Sequence, residues 1–356
     1  MNFRELTLAL KRISRLPFNG HLMPYLLNKI QQFYFRIGAS DRVAYPSTIM
    51  LELTNHCNLA CTMCPREHRF GREMDKGEMD PEKAKKILDE VLPYVDSIGL
   101  TGLGETFLYK HLAELVDYIR SRNTGVVLTL STNAAFAGFI EKAAPVIGKV
   151  DTIQVSVDGL DSVYESIRRN ASFELFDANL QALSKMCGGS STAIVINMVV
   201  MKENYHQMSA MVDYARRRNV AYCTFTPYSL ASTTDDDAGY YRFFSSRELL
   251  DTERELEHAI RNEKQVAVTK CSIQAHRAFR KCFYPWSHFY ITWNGFVSPC
   301  CAKPFPKELH FGNVAEADLI TTLNSDTFRR FRREWNAHKV PAFCERCRGY
   351  ELLERK

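Results

Sequence analysis

From residue 48 the chain repeats one pattern: a short apolar, β-branched run, a loop, then a stretch with apolar positions every three or four residues. The runs at 49–53, 97–100, 126–130, 152–157, 193–200 and 222–226 predict six strands. The stretches 81–92, 110–122, 136–147, 173–186 and 206–218 predict the helices between them. Asp80-Pro81-Glu82 marks one helix start, because an aspartate caps free N–H groups and proline suits the first turn. Strands alternating with helices of this length make βαβ units and a parallel sheet. Six strands within 48–227 suit either an unclosed barrel or a doubly wound sheet, and both place ligands at the C-terminal strand ends.

The two ends of the chain break this rhythm. In residues 1–47, Leu6, Leu8, Leu10, Ile13, Leu16 and the run 22–27 alternate with Arg4, Lys11, Arg12 and Arg15. Pro17, Gly20 and Pro24 interrupt any long amphipathic face. The preferred expectation is an extension packed on the domain with a solvated basic face; the sharper one is a helix pair in peripheral contact with an anionic membrane. Between 228 and 265 the alternation stops in a polar linker (Ser232, Thr233, Asp235, Asp236) and a charged helix over 248–263. Residues 266–356 then carry short strands, paired cysteines and a hairpin signal at Asn294-Gly295, which makes them a small α+β domain.

Charge and composition narrow the field. Seven basic and two acidic residues lie between residue 1 and Arg42, a surplus equal to the whole chain's net charge of +5. The remainder is therefore balanced, which speaks against a nucleic-acid partner. No apolar run reaches the ~18 residues of a membrane span, and the first residues lack signal-peptide order, so a cytoplasmic location is expected. Eleven cysteines, an odd count in tight groups, argue against a disulfide framework and for metal or cluster ligands.

Cys57, Cys61 and Cys64 stand as C-x₃-C-x₂-C directly after the first strand. Thiolates are what iron–sulfur clusters require, and three of them leave one iron of a four-iron cube open. A zinc site completed by His56 or His68, or three buried thiols, are the plainer alternatives. Three more strand ends carry polar groups. Gly102, Gly104 and Glu105 sit in Thr101-Gly-Leu-Gly-Glu-Thr106, where glycine permits close ligand approach and a carboxylate can hold an ammonium. Ser131 and Asn133 end the third strand; Ser156 and Asp158 end the fourth. The absence of G-x-G-x-x-G disfavours a dinucleotide phosphate loop. Near the C-terminus, Cys282, Cys300, Cys344 and Cys347 bring four thiols from three places, enough to enclose a complete zinc or iron–sulfur centre.

The cysteine triplet, Gly-Leu-Gly-Glu-Thr, Ser-Thr-Asn and Val-Ser-Val-Asp-Gly, in that order over 48–227, resemble the radical S-adenosylmethionine superfamily. The resemblance implies an α/β fold, a partial (β/α)₆ TIM-like barrel with a small C-terminal cluster-binding domain. It implies a [4Fe–4S] cluster on Cys57, Cys61 and Cys64. It further implies S-adenosylmethionine chelated at the open iron and cleaved by one electron to a 5′-deoxyadenosyl radical. By position, Gly102, Gly104 and Glu105 would hold the methionine amino group. Ser131, Asn133, Ser156 and Asp158 would line the cofactor, and Arg168 would pair its carboxylate. The family's usual Gly-Gly-Glu-Pro is altered at Leu103 and Thr106. The second cysteine set looks like the Twitch form of the SPASM extension, with one auxiliary [4Fe–4S] cluster on Cys282, Cys300, Cys344 and Cys347. Cys301 and Cys271 are competing ligands.

Similar Twitch dehydrogenases suggest oxidation of a small alcohol or sugar. The alternatives are maturation of a ribosomally made peptide and a non-enzymatic iron–sulfur carrier or sensor. A reducing donor such as flavodoxin or ferredoxin is implied. Cys223, on the sixth strand, is a candidate to face the barrel interior and return a hydrogen atom. The Arg/Phe-rich stretch 328–335 reads as an amphipathic helix with a solvated face rather than an RNA site.

Overall fold

A computed structural model describes residues 3–16, 21–122, 124–229, 237–261, 263–270 and 282–344. Cys271, Cys347 and most of the expected polar linker lie outside these residues. The nine strands are β1 (Thr48–Leu51), β2 (Ser97–Leu100), β3 (Val127–Thr132), β4 (Thr152–Ser156), β5 (Ala193–Val200), β6 (Tyr222–Pro227), β7 (Ala267–Lys270), β8 (His288–Ile291) and β9 (Val297–Ser298). They form one open sheet in the order β7-β6-β5-β4-β3-β2-β1-β8-β9. The pairings of β1 with β2 and β8, and of β2 with β3, are parallel, as are those of β5 with β4 and β6 and of β6 with β7. The β8–β9 hairpin pairing is antiparallel. This is the expected α/β architecture, with a parallel sheet that does not close.

The chain divides into two compact units. The first comprises Met1–His56, Glu73–Leu130 and Arg280–Glu345. Here Asp80 caps the helix Pro81–Val91, accepting the N–H groups of Glu82 and Lys83 at 3.0 Å each. Ile98 and Leu100 of β2 are fully buried, as are Leu115 and Val116 of the helix Leu112–Ser121. β8 adds to β1 in register Thr48↔His288 through Leu51↔Ile291, and the Glu52 N–H extends the ladder to the Ile291 carbonyl at 2.9 Å. No alternation in the sequence signals this pairing, because β8 and β1 are separated by over two hundred residues.

The first unit also holds α1 (Phe3–Ile13) and α2 (Leu22–Ile37). Pro24 falls in the first turn of α2, where proline is tolerated. The basic residues of this segment divide: Arg15, Arg36 and Arg42 are exposed, whereas Arg12 and Lys29 turn inward. Arg12 is fully buried; it donates to the Leu92 carbonyl at 2.8 Å and lies 4.4 Å from the Tyr25 ring centre. Burial lowers its pKa to about 10. Lys29 is paired with buried Asp96 at 2.6 Å. Large apolar side chains also occupy the solvent side.

The helix Asp326–Asn336 is amphipathic as expected, with Phe328, Phe331 and Trp335 inward. Its basic residues serve the fold. Arg332 is fully buried and donates to the carbonyls of Pro285, Asp41 and Leu323 at 2.6, 3.0 and 2.8 Å. Arg329 and Arg333 pair with Asp41.

The second unit comprises Cys57–Arg72, Ser131–Phe279 and Arg346–Lys356. Period-two alternation is plain in β4, β5 and β6. Ile153, Val155, Ile196, Met198, Cys223 and Phe225 are fully buried on one face. Gln154, Ser156, Asn197, Thr224 and Thr226 put polar groups on the other face, which on β5 also carries Ala193, Val195 and Val199. Two short helices were not legible from periodicity: Asp161–Ile167, and Asp237–Phe244 just after the expected linker.

Candidate functional site

The cysteine loop belongs to the second unit, and backbone bonds shape it. The Ala60 N–H donates to the Arg169 carbonyl at 3.1 Å, and the Thr62 N–H to that of Ile167 at 2.9 Å. The loop is thereby stitched alongside residues 167–169, which sets Arg168 beside Cys61. Cys61 is buried, Cys57 and Cys64 half-buried. Burial pushes the Cys61 thiol up to about 12, opposed by the Arg168 charge and reinforced by Cys64 and Cys57. Burial also raises the Cys64 thiol, while the Arg66 backbone and charge pull it down. The Cys57 sulfur accepts from the Leu59 N–H at 3.5 Å and the Asn133 amide at 3.7 Å. Among the described residues, no group of three or more His, Cys, Asp or Glu is gathered for a single metal ion. His68, one of the residues considered as a zinc ligand, bonds the Thr62 carbonyl at 2.8 Å.

Two arginines flank these thiols. Arg66 donates to the Leu59 carbonyl and pairs with Glu67 at 2.7 Å. Burial works against its charge, but Glu67, Cys57 and Cys64 outweigh it and raise its pKa. Arg168 pairs with Asp158 at 2.6 Å, both side chains buried. Burial opposes this guanidinium too, and Asp158 and Cys61 reverse the balance. Asp158 also accepts the Val199 N–H at 2.8 Å. Arg168 and Asp158 are thus brought together with Cys61, and each already has a protein partner. Arg66 was not singled out from the sequence, although a cation two residues after the last cysteine of the triplet was visible there.

Asn133, at the end of β3, reaches the same loop. Its amide donates to the Asn58 side-chain Oδ1 at 2.9 Å, and its own oxygen accepts the Ala135 N–H at 2.8 Å. Ser131 and Ser156 lie on half-buried positions of β3 and β4. Cys223 shares the fully buried face of β6 with Phe225, opposite Thr224 and Thr226, and burial pushes its thiol up to about 12.

The glycine segment belongs to the first unit. A Cβ on Gly104 would lie 2.3 Å from the Thr54 carbonyl oxygen and 2.6 Å from that of His56. One on Gly102 would lie 2.4 Å from the Glu52 side chain. Both glycines therefore admit the chain's own strand β1 and its exit. The Glu105 N–H donates to the His56 carbonyl at 2.8 Å, and its buried carboxylate accepts the Phe107 N–H at 3.1 Å. Asn55 fastens the same segment, donating to the Asp75 carbonyl at 2.7 Å and accepting the Gly77 N–H at 2.9 Å.

Glu52 is the residue that sequence reading missed here. It is fully buried and its Oε2 accepts the Tyr290 hydroxyl at 2.7 Å; among the described residues its Oε1 has no hydrogen-bond partner. Burial raises its pKa to about 8, against the Tyr290 and Leu103 hydrogen bonds. The signal was present: an acid in an otherwise apolar run, 49–53, is costly unless it has work to do.

In the C-terminal hairpin, Gly295 takes φ +93° and the Gly295 N–H donates to the Thr292 carbonyl at 2.8 Å. Cys300 follows β9 directly and its sulfur accepts the Ala302 N–H at 3.3 Å. A bond to the Cys301 thiol, together with burial, holds Cys300 well above the usual thiol range. Lys303 donates to the Phe343 carbonyl at 2.6 Å and pairs with Glu308, so the Cys300 turn is tied next to Cys344. Cys282, Cys300, Cys301 and Cys344 are all half-buried.

An open parallel sheet with three thiols on the loop after its first strand fits the radical S-adenosylmethionine class of proteins. The Radical SAM superfamily model matches residues 51–215. The iron–sulfur cluster-binding SPASM model matches 282–348, and the chain is a radical SAM enzyme of the SPASM-domain kind. The tungsten-containing aldehyde ferredoxin oxidoreductase cofactor-modifying protein of Pyrococcus furiosus is 25% identical over 80% of this chain and 82% of that one. Mycofactocin maturase MftC of Mycobacterium tuberculosis is 29% identical over 48% of this chain and 42% of that one. Streptococcus suis SuiB, in a crystal structure bound to precursor peptide SuiA, superposes with a TM-score of 0.67 at 16% identity, covering 92% of this chain and 75% of that one.

Membership brings [4Fe–4S] clusters and S-adenosylmethionine with it. The donor set fits. Three thiols sit on one loop beside two guanidiniums, which offset the negative charge that thiolates give an iron–sulfur centre.

Proposed function

We propose that this chain matures a ribosomally made peptide, modifying it at an unactivated carbon. The observation that carries this reading is the similarity of its core to mycofactocin maturase. It displaces the small alcohol or sugar as first choice of substrate. When bound, the cluster and S-adenosylmethionine supply hydrogen-atom abstraction from a C–H bond. Cys57, Cys61 and Cys64 would hold three irons, with Arg66 and Arg168 offsetting the thiolate charge. Gly102, Gly104 and Glu105 would frame the methionine end of the cofactor, and Ser131, Asn133 and Ser156 its remainder. Asp158 would act by orienting Arg168.

The polar face of β4, β5 and β6 suits an amide-rich substrate. Gln154, Asn197, Thr224 and Thr226 offer donors and acceptors in alternate positions, the spacing an extended peptide presents. Cys282, Cys300, Cys344 and Cys347 would hold the auxiliary cluster, which would supply an electron acceptor for the substrate radical. An external reduced flavodoxin or ferredoxin would start each turnover.

The test is anaerobic reconstitution with S-adenosylmethionine, dithionite and synthetic peptides encoded by short reading frames beside the gene. 5′-Deoxyadenosine together with a peptide mass lowered by two hydrogens supports the proposal. 5′-Deoxyadenosine with unaltered peptides, and a mass change in a sugar or cyclitol instead, would return the substrate to the small-molecule class.

A further inference from the structure

Surface helices turn their apolar side to the protein and their polar side to water. α2 does the reverse. Tyr25, Asn28, Lys29 and Gln32 share its inward side. Tyr25 donates to Asp96 at 2.6 Å, Lys29 to the same carboxylate at 2.6 Å, and Asn28 to the Tyr45 carbonyl at 3.0 Å. Gln32 donates to that carbonyl as well. On the outward side, at the same three- and four-residue spacing, Met23, Leu27, Ile30, Phe33, Tyr34 and Ile37 are 58–73% exposed. Of the fifteen large apolar side chains exposed among the described residues, ten lie on α1 and α2. So large an apolar patch marks an interaction site.

Charge selects the occupant. Arg36 and Arg42 are exposed beside this patch, Arg36 over the Phe283 ring. Asp41, the acid nearest to them in sequence, is drawn away by Arg329 and Arg333. A cleft of about 460 Å³ opens between the helices, walled by Leu10, Ile13, Leu26 and Phe33, with Arg36 and Arg42 also lining it. Acyl chains suit those walls, and phosphate headgroups suit those guanidiniums. Neither helix is long and apolar enough to cross a bilayer, so the pair would lie in its surface.

We propose that α1 and α2 form a peripheral anchor that seats this chain on an anionic lipid surface. The inward polar contacts hold the pair on its own unit, leaving the apolar side for the acyl boundary. The anchor does not depend on which substrate the enzyme takes.

The test uses the full-length, cluster-loaded protein in vesicle flotation, comparing phosphatidylcholine with phosphatidylcholine–phosphatidylglycerol vesicles. Binding to the mixed vesicles alone, weakened by salt, is expected. Arg36→Gln/Arg42→Gln should weaken it roughly 30-fold, and Ile30→Asp/Phe33→Asp should abolish it. Both variants should still form 5′-deoxyadenosine at the parent rate, which separates lost binding from lost folding. Equal binding to neutral vesicles, or none to either, would overturn the proposal. So would a lipid-independent dimer dissolved by Ile30→Asp/Phe33→Asp, which would give the face to a second copy.

Discussion

A methyl group at Gly104 would meet main-chain oxygen, and one at Gly102 would meet the Cγ and Cβ of buried Glu52, so neither neighbour yields easily. Gly104→Ala is expected to cost about 3 kcal/mol and Gly102→Ala about 2 kcal/mol. Denaturant midpoints, with iron content as a second readout, will rank them. Glu52 supplies a pH signature. Its pKa is raised to about 8 in the fold, so its contribution to stability is complete below about 4.5 and lost as pH rises through about 8. Glu52→Gln should flatten that decline, a difference on the order of several kcal/mol, measured by urea unfolding across the window. Removing a cation near the thiols has a different readout. Arg66→Gln should lower the cluster's midpoint potential by on the order of tens of millivolts in an EPR-monitored titration, because the oxidised form carries less negative charge. The glycines, the cysteines and Asn133 could be read as site candidates because their types are rare and their spacing informative. Glu52 and Arg66 were hidden, because their worth depends on Tyr290 and on loop closure.

At the level of elements, periodicity located β2 and β5 to the residue and found the longer helices between 81 and 217. It failed where an element depends on a distant partner. β8 counts as part of the sheet only because β1 offers its free edge, and a four-residue run carries no record of that. The short helix Asp161–Ile167 is likewise too brief for periodicity to register. The turn at Cys300 has a test at this scale. Lys303 ties it to Phe343, so Lys303→Met should loosen the auxiliary set and lower iron from about eight toward four per chain. The 5′-deoxyadenosine formed without substrate should persist in that variant.

For the whole molecule, composition identified balanced charge beyond residue 42 but not where the basic surplus would point. Arg12 and Lys29 turned inward, and the outward side of α1 and α2 is apolar. Helical periodicity shows that a face exists and leaves open which face meets the protein. The radical SAM and SPASM segments, by contrast, were legible because cysteine spacing survives when most other positions have changed.

The β8–β1 pairing has a practical consequence for anyone dividing this chain. Cutting before residue 282 looks natural, since the cysteine-rich end carries its own cluster motif. The cut would strip β1 of its parallel neighbour, leave a bare row of main-chain donors and acceptors, and remove the hydroxyl that Glu52 relies on. Such a truncated core should be insoluble or bind itself edge to edge, and size-exclusion chromatography of the fragment beside the full chain will tell. The cysteine-rich end thus lends β1 a neighbouring strand and Glu52 a hydroxyl, and a cut that removes it takes both away.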